Sequence, residues 1–147
     1  MGIAPEAVIR ECEIVLKECM PDLDFACLYG SCARGEMRPF SDIDIGLHAP
    51  ENPDILTLGD VAGRLESTLA RPVDLLLLRG LPERDPELAF RVAREGVLVM
   101  ERCRYQYADF KKHAFLHYLD TDYLRQLTRT ALHRRVLSGN MGRRNYV

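Results

Sequence analysis

The chain has 147 residues, 47% of them hydrophobic, with 20 Lys and Arg against 22 Asp and Glu and a formal net charge of −2. That length suits a single domain whose core needs no disulfide or metal staple. No run of about 18 apolar residues is present to span a membrane, and the acidic stretch holding Glu6, Glu11 and Glu13 has no secretory apolar segment, so a cytoplasmic protein is expected.

In chain order, Val8, Cys12, Val15, Leu16 and Cys19 recur at helical spacing and predict a helix over 4–19, ended by Pro21-Asp22. An apolar strand over 24–29 runs into Gly30-Ser31, and after a basic loop a second strand carries Asp42, Asp44, Gly46 and His48 on one face and Ile43, Ile45 and Leu47 on the other. Ile55, Leu58, Ala62, Leu65 and Leu69 form the apolar stripe of a helix leading to a third β-type run over 71–78. Asp85 as cap, Pro86 at the first helical position and Gly96 past the end bracket a helix over 86–95, and 97–100 is a short strand. The segment 104–137 reads as helix, broken near Asp120-Thr121-Asp122 where Thr121 can cap a second piece, and 138–147 reads as disordered. The expected fold is α/β with a mixed sheet: a core over 1–101 and a helical extension over 102–147 of the same domain.

The chemistry concentrates between Gly30 and Asp74. Gly30-Ser31, ten residues, then Asp42-Ile43-Asp44 joins a phosphate-gripping turn to two carboxylates. Two ionised carboxylates about 4 Å apart repel by roughly 4 kcal/mol at an effective dielectric near 20, a cost that a purely structural strand has no reason to carry. A hard divalent cation relieves it, and oxygen-only donors favour Mg²⁺ or Mn²⁺. Glycine at position 30 lets the backbone approach a phosphate, Ser31 offers an N–H and a hydroxyl, and Arg34 adds charge-assisted bonds. Asp74 stands alone in an apolar run. It is either the third acid of the cluster, able to hold a second metal or to take a proton from an attacking hydroxyl, or an edge-strand acid paired to Arg71.

Charge is unevenly placed: residues 1–101 carry net −9 and residues 102–147 net +7. The tail is expected to meet something acidic, whether a partner protein, RNA or the acidic body itself. Tyr107, Phe110, Ala114 and Tyr118, with Lys111 and Lys112 beside them, form the stripe expected to make the tail a partner-binding arm, with Arg125 and Arg129 exposed. His113 and His117 have zinc-ligand spacing but lack a companion ligand set, so a surface or interface face is expected there. His48 reads as a strand-end polar residue. Five cysteines, at 12, 19, 27, 32 and 103, form no C-x-x-C pair and read as reduced apolar filler, although Cys32 falls in the phosphate turn.

The segment from Gly30-Ser31-Cys32-Ala33-Arg34-Gly35 through Ser41-Asp42-Ile43-Asp44, with the later lone Asp74, resembles the DNA polymerase β-like nucleotidyltransferase superfamily, and in particular its minimal (MNT) branch. Arg94-Glu95-Gly96 ahead of Val97-Leu98-Val99-Met100, and the tail with Asp109-Phe110 and Tyr118-Leu119-Asp120, are similar to MNT antitoxins that partner HEPN toxins. The resemblance implies that Asp42 and Asp44 bind metal and that Asp74 is the third catalytic acid. Gly30, Ser31, Arg34 and Ser41 would hold ATP. Two metal ions would serve AMP transfer to a hydroxyl, a tyrosine of a HEPN ribonuclease toxin, in a hetero-oligomer with it. An aminoglycoside-type acceptor and a non-catalytic, toxin-binding antitoxin are the alternatives. Gly46 stands where such strands more often carry a bulky apolar residue, and Arg129 and His133 are too closely spaced for the Arg/His pair of HEPN ribonucleases.

Overall fold

A computed structural model describes residues 4–139. Among these, the elements run α1 (Pro5–Cys19), β1 (Phe25–Tyr29), α2 (Gly30–Ala33), β2 (Ile43–His48), α3 (Ile55–Leu69), β3 (Val73–Leu77), α4 (Leu81–Arg84), α5 (Pro86–Glu95), β4 (Val97–Glu101) and α6 (Gln106–Leu137). The strands form one mixed sheet ordered β3-β2-β1-β4, in which β1 is antiparallel to β2 and β4 while β2 and β3 are parallel. A parallel pair needs a long crossover, and α3 supplies it. Among the described residues no helix is long and apolar enough to cross a membrane.

The alternation of side chains along β1 and β2 builds two cores. Ala26, Leu28, Ile43, Ile45 and Leu47 pack against Val8, Cys12 and Leu16 of α1 and Val61, Leu65 and Leu69 of α3. Phe25, Cys27 and Tyr29 point the other way, against Ala89 and Val92 of α5 and Tyr107, Phe110 and Ala114 of α6. Asp54 and Asp85 cap α3 and α5 by accepting from the Thr57 and Leu88 N–H groups at 2.7 and 3.2 Å, contacts typically worth about 1 kcal/mol each. All five cysteines are free, and burial pushes the thiols of Cys12 and Cys27 up to about 12, so they serve as neutral filler.

Several expectations need correction. Ile55 is 83% exposed, so the buried stripe of α3 begins a turn later, at the half-buried Leu58. The helix α6 runs unbroken past Asp120-Thr121-Asp122, because the Thr121 hydroxyl bonds back to the carbonyls of His117 (3.1 Å) and Tyr118 (2.9 Å) instead of capping a new segment. The stripe of Tyr107, Phe110, Ala114 and Tyr118 faces the protein's own body. Tyr107 donates its hydroxyl to the Gly96 carbonyl at 3.0 Å, Phe110 lies 5.8 Å from Phe25, and Tyr118 stacks on Phe90 at 4.0 Å. Arg125 is drawn in as well, ion-paired to Glu87 and 4.8 Å over the Tyr118 ring. Ser138 and Gly139 close α6 in a turn, and the rest of the end expected to be disordered lies outside the described residues.

Candidate active site

Strand pairing lines up three residues at one end of the sheet. Tyr29 of β1 is opposite Asp44 of β2, and Asp44 is opposite Asp74 of β3. Paired residues share a sheet face, so the row points toward α5 and away from the core under α1 and α3. Burial, then repulsion from Asp74 and from Asp42, holds the Asp44 carboxyl above its ordinary value, while Arg91 and Arg34 act against the rise. Burial first, then Asp44 and Asp74, also pushes the Tyr29 phenol up, so it stays neutral in the physiological range.

Gly30 ends β1 with a φ of +72°, a conformation that costs a side-chain-bearing residue strain. A Cβ there would collide with Oδ2 of Asp44. The turn therefore presses its bare backbone against the carboxylate, and the opening N–H groups of α2, which have no intrahelical partner, lie beside it. Together Gly30, Ser31 and Arg34 from the turn, Tyr29, Asp44, Asp74 and Leu76 from the sheet, and Leu88 and Arg91 from α5 enclose a cleft of about 450 Å³. Larger clefts of about 470, 550 and 610 Å³ occur elsewhere, and none of them is lined by Tyr29, Asp44 or Asp74.

A family model described as polymerase beta nucleotidyltransferase matches residues 11–105. The chain belongs to that family. A comparison with curated protein sequences finds no significant match. Among solved structures, the chain is similar to a toxin–antitoxin structure with AMP-PNP, at 26% identity over 88% of this chain and 98% of that one, with a TM-score of 0.65. It shares its fold with a MntA–HpeT toxin–antitoxin structure (22% identity, 89% and 99% covered, TM-score 0.71). It also shares it with the complex of a tri-AMPylated Shewanella oneidensis HEPN toxin and an MNT antitoxin (23% identity, 90% and 98% covered, TM-score 0.62). The mixed four-stranded sheet with a long C-terminal helix is this nucleotidyltransferase fold.

Within the family's frame, the foreseen residues divide. Gly30, Ser31, Arg34, Asp44 and Asp74 line the cleft. Asp42 lies just ahead of β2, which starts at Ile43; it is exposed and is not in the lining, though its charge acts on Asp44. Ser41 is not in the lining. Its hydroxyl accepts from the Arg38 N–H at 3.0 Å and its own N–H donates to the Arg38 carbonyl at 3.0 Å, closing the turn ahead of Asp42. Arg71 pins the same turn through the Arg38 and Pro39 carbonyls at 2.9 and 3.1 Å, and so is not the partner of Asp74, which is exposed on an edge strand. The pinned turn presents Phe40, 94% exposed, at the approach to Asp42.

Other candidates lie elsewhere. His48 contacts Asp24 at 3.0 Å and stacks on Phe25 at the opposite end of β2. His113 meets Glu83 at 2.6 Å. Cys32, although it falls in the turn, points into the core and is buried. Gly46 leaves room for neighbours, because a Cβ there would sit 2.9 Å from Leu78 Cδ1 and 3.1 Å from Cys27 Sγ. Among the described residues no three His, Cys, Asp or Glu side chains cage an ion unaided. Mg²⁺ needs no such cage, since it is commonly held by one or two carboxylates and completed by substrate phosphates, and the Asp44–Asp74 pair beside the glycine turn fits that donor set. Arg91, which reading the sequence missed, is the second cation of the cleft. Only the packing of α5 over the sheet end brings it there.

Proposed function

We propose that the chain is a nucleotidyltransferase antitoxin that moves AMP from ATP onto a tyrosine hydroxyl of a HEPN-type ribonuclease toxin, and so neutralises it. The observation that carries the reading is the row Tyr29–Asp44–Asp74 set against the bare backbone of Gly30. Two facing carboxylates, one held above its ordinary value by burial and its neighbours, suit a site completed by a cation and a triphosphate. A divalent ion, Mg²⁺ or Mn²⁺, held by Asp42, Asp44 and Asp74, would supply neutralisation of the phosphate charge. The N–H groups and hydroxyl at Gly30-Ser31 hold the triphosphate. The acceptor oxygen attacks the α-phosphorus, a new P–O ester forms, the α–β anhydride breaks, and pyrophosphate leaves. Asp74, exposed on the sheet edge, takes the acceptor's proton.

A protein acceptor is favoured by what surrounds the cleft. Asp74 is exposed on the edge strand, and Phe40, two residues ahead of Asp42, is fully presented, so a protein surface can reach both. The likeness to a toxin–antitoxin structure holding AMP-PNP supports the same partner class. The arm that meets the toxin is the outward face of α6. Leu116, Leu119, Tyr123 and Leu127 repeat at helical spacing two positions on from the buried Ala114, which places them opposite the face that docks on the body. They are between 51% and 63% exposed, and Arg129, Arg134 and Arg135 add charge to the same half of the helix.

The paired substitution Leu119→Asp and Leu127→Asp should weaken the complex with the product of the adjacent gene by about a hundredfold or more, since truncating central anchors commonly costs about 2 kcal/mol each. The melting temperature should stay near that of the parent, because neither side chain touches the core. Binding kinetics on purified proteins check this. Unaltered affinity moves the partner surface off α6, and capture of RNA in place of a protein overturns the antitoxin reading.

A further inference from the structure

The guanidinium expected to grip phosphate is already engaged. Arg34 donates from Nε to Glu36 at 3.0 Å and from Nη1 to Glu95 at 2.9 Å. The Glu95 side chain is only 12% exposed, so this ion pair is sheltered on one side. Across the cleft, Arg91 sits on α5 one turn after Leu88 and, among the described residues, has no ion pair or side-chain hydrogen bond. It lines the same cleft as Tyr29, Asp44 and Asp74. An arginine brings up to five donors in a planar fork that matches phosphate oxygens, and one without a protein partner keeps all of them for a ligand. Its backbone is fixed within a capped ten-residue helix, so only side-chain freedom is lost on binding.

We propose that Arg91 is the phosphate-binding residue of the α5 wall, taking non-bridging oxygens of the nucleotide's triphosphate while Glu36 and Glu95 hold Arg34 in a fixed orientation at the turn. This rests on the nucleotidyltransferase reading of the cleft and adds a ligand that the family's glycine–serine and aspartate motifs do not contain. The paired Arg34 at the turn and the unpaired Arg91 on α5 then flank the carboxylate row, and the triphosphate lies between them. A purely structural arginine, present to offset the acids, would behave differently: removing it would shift stability and leave the discrimination between ATP and adenosine unchanged.

Calorimetric titration of the full chain, in Mg²⁺, with ATP, tripolyphosphate and adenosine separates these roles. Arg91→Ala should lose about tenfold in affinity for ATP and for tripolyphosphate and keep its affinity for adenosine, with Arg91→Lys recovering part of the loss and all variants melting near the parent. Unchanged ATP affinity in Arg91→Ala, or equal losses for ATP and adenosine, overturns the assignment. If that happens while the parent still transfers AMP, the assignment alone fails. If the parent binds ATP through Arg91 as described and transfers nothing, the assignment stands and the proposed function fails. A parent that binds neither ATP nor tripolyphosphate overturns both.

Discussion

Asp44→Asn is expected to lose AMP transfer by about a thousandfold or more, the scale of several kcal/mol of lost charge stabilisation, and to melt higher than the parent at neutral pH. Both effects come from one cause. Asp44 is half-buried, directly opposite Asp74, and within reach of Asp42, and those influences hold its carboxyl above the ordinary value in the folded chain. A carboxyl raised on folding binds its proton more tightly in the native state, so the ionised form subtracts stability. The penalty is absent below the unfolded value, near pH 4, grows as pH rises through the folded value, and is full above it. Asparagine removes the penalty, so its gain in melting temperature should be present at about pH 7 and vanish at about pH 3. Mg²⁺ with ATP should stabilise the parent and have much less effect on the variant. A variant that melts no higher at neutral pH, or that keeps its activity, contradicts this account of Asp44.

Asp74→Asn should separate chemistry from binding. Asp74 is exposed on the edge strand β3, on the open side of the row, whereas Gly30 and Ser31 hold the nucleotide from the turn. Loss of the group that accepts the hydroxyl proton should lower the transfer rate by about a hundredfold to ten-thousandfold, with ATP affinity changing only a few-fold. Single-turnover rates beside equilibrium titrations measure the two effects. An affinity that falls as steeply as the rate makes Asp74 a nucleotide ligand and returns proton acceptance to another group.

Short-range features were legible in the sequence because local rules govern them. Period-two alternation assigned Asp44 to the face opposite Ile43 and Ile45, and the lone acid among leucines marked Asp74; both faces are as the pairing shows. The Asp85 cap and the Pro86 start bracket α5 where they were expected to. What stayed hidden depends on packing between distant segments. Glu95 engages Arg34 from 61 residues away, and Arg91 reaches the cleft only because α5 lies over the end of β2 and β3. An apolar stripe does not say what covers it, so Tyr107, Phe110 and Ala114 look the same whether they meet a partner or the chain's own sheet. Thr121 shows a local signal overruled: its hydroxyl can cap a helix, but the docking of α6 through Tyr118 and Arg125 carries the helix through that point.

The most direct test of AMP transfer uses two labels. The purified chain, the product of the adjacent gene, Mg²⁺ and ATP labelled at either the α- or the γ-phosphate are incubated together, and the proteins are separated and mapped. The account predicts label on a tyrosine of the partner from α-labelled ATP, none from γ-labelled ATP, release of pyrophosphate, and none of this with Asp44→Asn. Label from the γ-phosphate, or a stable complex that stays unlabelled with the unaltered chain, would contradict it.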